Sequence, residues 1–130
     1  MNRRNFTKLG TTVIGLSPFS GFAWAEKPQK PAWLIKLIRL NDSYIKPSTQ
    51  NQIQDKNHAF FGAILNGEDI PDPVATSGVL AMWAIGIACP ESDYYQSTNL
   101  LHQFERGAQY LLKAQHKDGT IDLLSSNFHS

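Results

Sequence analysis

The chain has 130 residues, with twelve Lys and Arg against eleven Asp and Glu and a formal charge of +1. That length suits one small domain, and the near-neutral balance lacks the basic excess that holds a phosphate backbone, so nucleic acid is not an expected partner. Cys89 is the only cysteine, which rules out an internal disulfide and a thiolate metal cluster.

Residues 1–25 read as an export leader. The run Asn2-Arg3-Arg4-Asn5-Phe6-Thr7-Lys8 has paired arginines, a phenylalanine two places on and then a lysine, and it resembles the twin-arginine signal pattern. A modest apolar stretch over 9–22 follows, and Ala23-Trp24-Ala25 places small residues where signal peptidase needs them. Gly10, Gly15 and Pro18 leave that stretch too short and too polar for a membrane span. Cleavage is expected after Ala25, with the twin-arginine translocase and signal peptidase as partners during export. Residues 26–130 are then periplasmic or extracellular. Losing Arg3, Arg4 and Lys8 leaves nine basic against eleven acidic residues, a formal charge of −2. The twin-arginine route is known for passengers already folded, often around a cofactor, but no residue pattern here calls for one.

Residues 26–31 alternate proline and lysine and read as a flexible lead-in. Apolar residues at 33, 34, 35, 37, 38 and 40, with Lys36 and Arg39 between them, set a helical period that Pro31 suits in its first turn. Lys46-Pro47-Ser48-Thr49 is expected to end or interrupt that helix. A polar stretch follows over 50–72, with Phe60-Phe61 as its large apolar pair. Asp72-Pro73 is a helix start, a carboxylate placed to cap and a proline whose missing N–H is harmless there. The most apolar segment runs over 74–89. As a helix it reaches roughly 24 Å, short of the roughly 30 Å hydrocarbon core of a bilayer, and Thr76 and Ser77 weaken a membrane reading further. A helix buried in protein on nearly all sides is expected instead, with Ala75, Gly78, Ala81, Gly86 and Ala88 letting neighbours approach closely. Pro90-Glu91-Ser92-Asp93 closes it. Ser97 or Thr98 then caps a long amphipathic helix ending near His116, its apolar face carried by Leu100, Leu101, Phe104, Ala108, Leu111 and Leu112. Asp118-Gly119 supplies the stop, with Gly119 able to take positive φ. Over 26–130 there is no sustained strand alternation, so the expected fold class is all-α.

The last helix carries a specific spacing. Arg106-Gly107, then Tyr110-Leu111, then Gln115, Gly119 and Ile121 resemble the QW repeat of α/α-toroid proteins, known from terpene cyclases and, in looser form, from toroid glycosidases and polysaccharide lyases. The repeat normally ends in tryptophan, where this chain has Ile121; that departure argues against a cyclase more than against the architecture. Physically, Tyr110 and Leu111 would pack the helix on its neighbour, Gln115 would bond exposed backbone at the turn, and Gly119 would make the turn possible. An upstream echo, Gln52-Ile53-Gln54-Asp55 and then Gly62-Ala63-Ile64, sits beside Gln115-His116-Lys117-Asp118 and then Gly119-Thr120-Ile121, the two glutamines 63 residues apart. That is a spacing for one helical hairpin with long loops, although two copies are fewer than repeat architectures usually show. Residues 70–130 also resemble exported proteins of the heparinase II/III-like kind, whose amino-terminal part is an α/α toroid.

The resemblance implies antiparallel helical hairpins of an incomplete toroid, with 26–130 as its amino-terminal portion and a polysaccharide as the substrate or ligand. Alternating helix directions would put the long polar loops over 47–72 and 117–130 on one rim and the short turn over 90–96 on the other, and long loops on a rigid scaffold are where binding groups reside. Because 123–130 brings no closing element, the chain reads as a fragment, inactive alone, of an exported lyase or hydrolase. A non-catalytic helical module binding a glycan or a protein partner is the alternative.

Candidate chemistry falls on the same rim. The resemblance to toroid lyases implies an asparagine that neutralises a uronate carboxylate and a histidine that moves a proton, and Asn127 and His129 sit beside Asp122 in the late loop. A histidine suits proton transfer because its pKa lies near operating pH, while a polar loop making local backbone bonds is the plainer account of the same residues. Glu68 and Asp72, with Asp69, offer carboxylates for a glycoside site or for substrate binding; a cap at Asp72 and solvated turn residues are the plainer account. His58, His102, His116 and His129 show no i, i+4 pairing and no thiolate companion, so no metal is expected. Trp33, Trp83, Tyr94 and Tyr95 are rings that stack on sugars or fill cores.

Overall fold

The computed structural model describes residues 28–122. The helices of the described residues lie in one compact unit that begins at Ala32. They are α1 (Ala32–Gln50), α2 (Pro73–Ala88) and α3 (Thr98–Ala114). The described residues contain no strands, only three isolated bridges in the loops, so the all-α class holds. No helix among the described residues is long and apolar enough to cross a membrane. The leader assigned to 1–25 lies outside the described residues, as do Asn127 and His129.

The start of α2 follows the sequence signal. Asp72 is the cap, its Oδ1 accepting from the backbone of Val74 at 2.7 Å and of Ala75 at 3.2 Å, and Pro73 occupies the first turn. Thr76 ties this start to the preceding loop. Its fully buried hydroxyl donates to the Asp72 carbonyl at 2.7 Å and accepts from the Ile64 N–H at 2.9 Å. Ser97 caps α3 by accepting from the Leu100 N–H.

α1 departs from expectation. It runs through Pro47 to Gln50 instead of stopping at 46–49. Pro47 removes one internal hydrogen bond, but its ring faces solvent while Ile45 and Ser48 on the same turn are buried. Packing on the inner face therefore continues across the proline and outweighs the local defect.

α2 packs on both other helices. Ile45, Ile64, Leu80, Trp83 and Leu100 form the core, and burying each large aliphatic side chain there stabilises by about 1.5–3 kcal/mol. Glycines permit two close approaches: a Cβ at Gly86 would run into Ile45, and one at Gly107 into Leu80. α2 is not buried on nearly all sides. Val74, Ser77, Gly78, Ala81, Ala84, Ile85 and Ala88 are exposed, a chargeless stripe opposite the buried Thr76, Leu80 and Trp83. Small apolar side chains expose little surface each, so composition alone does not bury them.

At the turn between α2 and α3, Asp42 of α1 is the anchor. Its buried carboxylate accepts from the Ser92 hydroxyl at 2.7 Å and the Asp93 N–H at 2.9 Å, and Arg39 reaches both Asp42 and Asp93. A buried carboxylate survives only with such partners.

The two loops paired in the sequence close by the same device. In the first loop (51–72), Gln52 bridges to Ile64, Gly62 takes φ +90°, and the Gln52 amide donates to the Gly62 carbonyl at 3.0 Å. In the second (115–122), Gln115 bridges to Ile121, Gly119 takes φ +88°, and the Gln115 amide donates to the Gly119 carbonyl at 3.3 Å. Positive φ at both turns is why glycine stands at each.

Candidate functional site

Both loops converge on one cleft of about 320 Å³. The first loop contributes Lys56, His58, Phe60 and Phe61, α3 contributes Tyr110 and Lys113, and the second loop contributes His116 and Asp122. Local bonds shape the first loop: Asp55 accepts from the Asn57 N–H at 2.9 Å, and His58 Nδ1 accepts from the Phe60 N–H at 3.1 Å. A backbone N–H can only donate, so His58 Nδ1 is the acceptor in this contact. The same turn brings the His58 and Phe60 rings together, centroids 6.0 Å apart.

In the second loop, His116 Nε2 lies 3.1 Å from the Asp122 carboxylate. Asp118 accepts from the Thr120 N–H at 3.0 Å and from its hydroxyl at 2.7 Å. Those bonds, the backbone one foremost, hold the Asp118 carboxyl below the usual range and fix the turn. On α3, burial first and the Asp72 charge second push the Tyr110 hydroxyl above the ordinary tyrosine value. Tyr110 therefore faces the cleft as a neutral phenol.

Gln52 holds the first loop to α3 from behind the cleft. Its amide donates to the Gly62 carbonyl and, at 2.8 Å, to the Gln103 carbonyl of α3. Gly62 lies against the α3 backbone, where a Cβ would run into the Arg106 carbonyl, and the Arg106 guanidinium donates to Gln54.

Of the residues singled out from sequence, Asp122 lines the cleft. Asp72 is turned to the α2 N-terminus, with its second oxygen 3.5 Å from the Asn66 amide. Glu68 is exposed in a turn built by Asn66, whose Oδ1 accepts from the Glu68 and Ile70 N–H groups. Neither Glu68 nor Asp72 is among the residues that line the cleft. Lys56 and Lys113 lie in unremarkable polar and helical contexts that mark neither as a site residue, and Phe60-Phe61 stood out only as an apolar pair in a polar stretch. Among the described residues no cluster of three or more His, Cys, Asp or Glu could hold a metal.

The cleft thus combines two ammonium groups, two imidazoles, a neutral phenol and two phenyl rings around one carboxylate. Such a lining suits a ligand with a ring face and a negative charge. Comparison of the chain with known protein families, with curated proteins and with solved structures finds no match in any of the three.

Proposed function

We propose that this chain is the helical, toroid-type part of an exported protein that handles an acidic polysaccharide outside the cytoplasm. The observation that carries the reading is the cleft between the loops, where Lys56 and Lys113 stand beside Phe60, Phe61 and Tyr110. The lysines suit a sugar carboxylate, and the rings suit the apolar face of a pyranose. The leader-like residues 1–25 support the compartment, and the loop echo supports the toroid.

Two roles fit this reading. In a lyase or hydrolase, His58, His116 and Tyr110 are the cleft groups able to move protons; Asn127, to neutralise a uronate carboxylate, and His129, to carry a proton, are the proposed additions from outside the described residues. In a binding module the same groups only hold the sugar.

Calorimetry with a short uronate oligosaccharide and a neutral one of equal length tests the proposal. The acidic sugar is expected to bind and the neutral one to bind more weakly. Lys56→Ala and Lys113→Ala each cost up to about 1 kcal/mol at such exposed positions, roughly fivefold in affinity. Equal affinity for the two sugars, or indifference to both substitutions, rejects the acidic-sugar assignment. Depolymerisation that survives in His129→Ala removes that residue from the chemistry.

A further inference from the structure

The cleft holds two side chains whose charge changes near neutral pH, and its lining decides what that change does. His58 enters from the first loop and His116 from the second, beside the ammonium groups of Lys56 and Lys113. Among the described residues, Asp122 is the one carboxylate that lines the cleft. It lies 3.1 Å from His116 Nε2. Beside a neutral imidazole its charge opposes an incoming anion, and beside an imidazolium it is cancelled. The other carboxylates of the surrounding elements are turned elsewhere. Asp55 accepts from the Asn57 N–H, Asp118 from the Thr120 N–H, and Asp72 from the head of α2. Lys117 is not among the residues that line the cleft, and Tyr110 is held neutral.

Histidine is the side chain that gains a proton between about pH 8 and 5, whereas a sugar carboxylate, like other carboxylic acids, stays ionised down to about pH 4–5. Over that range the lining passes from one net positive charge, two ammonium groups against one carboxylate, to as many as three. A cleft of about 320 Å³ is about one Debye length across at physiological salt, so each added charge is felt by a ligand inside it. Protonation has a second effect. His58 Nδ1 accepts from the Phe60 N–H, and an imidazolium has two donors and no acceptor. Acid therefore gives up the bond that shapes the Phe60 turn and loosens the ring face offered to any sugar. That loss falls on acidic and neutral sugars alike and cancels in the ratio of their affinities.

We infer, on the acidic-polysaccharide reading, that His58 and His116 set the charge selectivity of this cleft, so that its preference for an acidic over a neutral sugar grows as pH falls. His116 acts by removing the opposition of Asp122, and His58 by adding a charge on the loop that carries Lys56. Each imidazolium contributes up to about fivefold to the ratio, as an exposed ion pair does.

Calorimetry of the full chain with uronate and neutral oligosaccharides, at about pH 5.5 and about pH 8, tests it at low salt, where screening is weak. The affinity ratio is expected to rise several-fold in acid. Titrations in buffers of different ionisation enthalpy should show more protons taken up with the uronate than with the neutral sugar. His58→Asn keeps an acceptor within reach of the Phe60 N–H but cannot gain the charge. Combined with His116→Gln, and with circular dichroism confirming the fold, it should give a ratio that no longer changes with pH. Asp122→Asn should bind the uronate more tightly at about pH 8 and lose part of the rise in acid. A uronate preference equal at both pH values, without excess proton uptake by the wild type, overturns the inference and leaves the acidic-sugar reading in place. A rise that survives in the double variant does the same. Absence of uronate binding at either pH overturns that reading and the inference with it.

Discussion

The indole Nε1 of Trp83 donates to the Ser48 hydroxyl at 2.8 Å, and that hydroxyl donates onward to the Ile45 carbonyl at 2.7 Å. Trp83 is fully buried and Ser48 nearly so, so a polar thread runs through the α1–α2 contact with no water to replace it. Ser48→Ala leaves a buried N–H without an acceptor and is expected to cost about 1–3 kcal/mol. Trp83→Phe loses ring volume and donor together and costs about 2–4 kcal/mol. The double variant costs less than the sum, because both changes delete one bond. Urea unfolding followed by circular dichroism measures all three, and a neutral Ser48→Ala would show that the thread contributes nothing.

Gly62 and Gly119 share a backbone conformation but not a neighbourhood, which separates strain from packing. Gly119→Ala carries the positive-φ strain alone, about 1–2 kcal/mol. Gly62→Ala carries that strain and also drives a methyl group into the Arg106 carbonyl, adding roughly 1–3 kcal/mol of overpacking. Thermal melts of the two variants should rank Gly62→Ala clearly lower. Equal melts would mean that the first loop is not held against α3.

Asp72 distinguishes a capping role from a ligand role. Asp72→Ala is expected to lose about 1 kcal/mol of stability, whereas Asp72→Asn keeps an acceptor oxygen and stays close to wild type. Sugar affinity in Asp72→Asn should be unchanged. An affinity lost with stability retained would instead put Asp72 in the binding set.

Tyr110 gives the alkaline limb of stability. Its pKa is raised above the ordinary value of 10.0, so the folded chain keeps a proton that the unfolded chain releases. The resulting stabilisation is fully present below pH 10.0 and is lost as pH rises through the higher folded value. Tyr110→Phe cannot ionise and should flatten that limb relative to wild type in melts taken across the alkaline range. An ultraviolet titration should show one fewer late-titrating phenol in the variant. An unchanged alkaline limb would remove Tyr110 as its source.

Much of the fold was legible where local chemistry and tertiary packing agree. Asp72-Pro73 announced α2, the apolar period from Leu100 to Leu112 announced α3, and Gly119 announced its turn. α1 was cut short because Pro47 is a local breaker, and sequence could not show that Ile45 and Ser48 bury on either side of it. α2 was over-buried because a nearly continuous apolar run gives no face to choose, and Val74 and Ile85 are left outside along with Ala81, Ala84 and Ala88. The cleft was harder still. Lys56 and Lys113 are brought together through Gln52 and Gly62 docking on α3, and no spacing along the chain records that contact. Asp122, singled out for its place in the late loop beside Asn127 and His129, does line the cleft.

Gln52 fastens the first loop to α3 without lining the cleft, so randomising only the facing residues would leave that fastening unchanged. The same carboxamide is a point of slow chemical ageing. Deamidation would replace its N–H donors with an anion directed at the Gly62 and Gln103 carbonyls, turning a clasp into a repulsion. A stored sample would then loosen its first loop from α3 before it lost its helices.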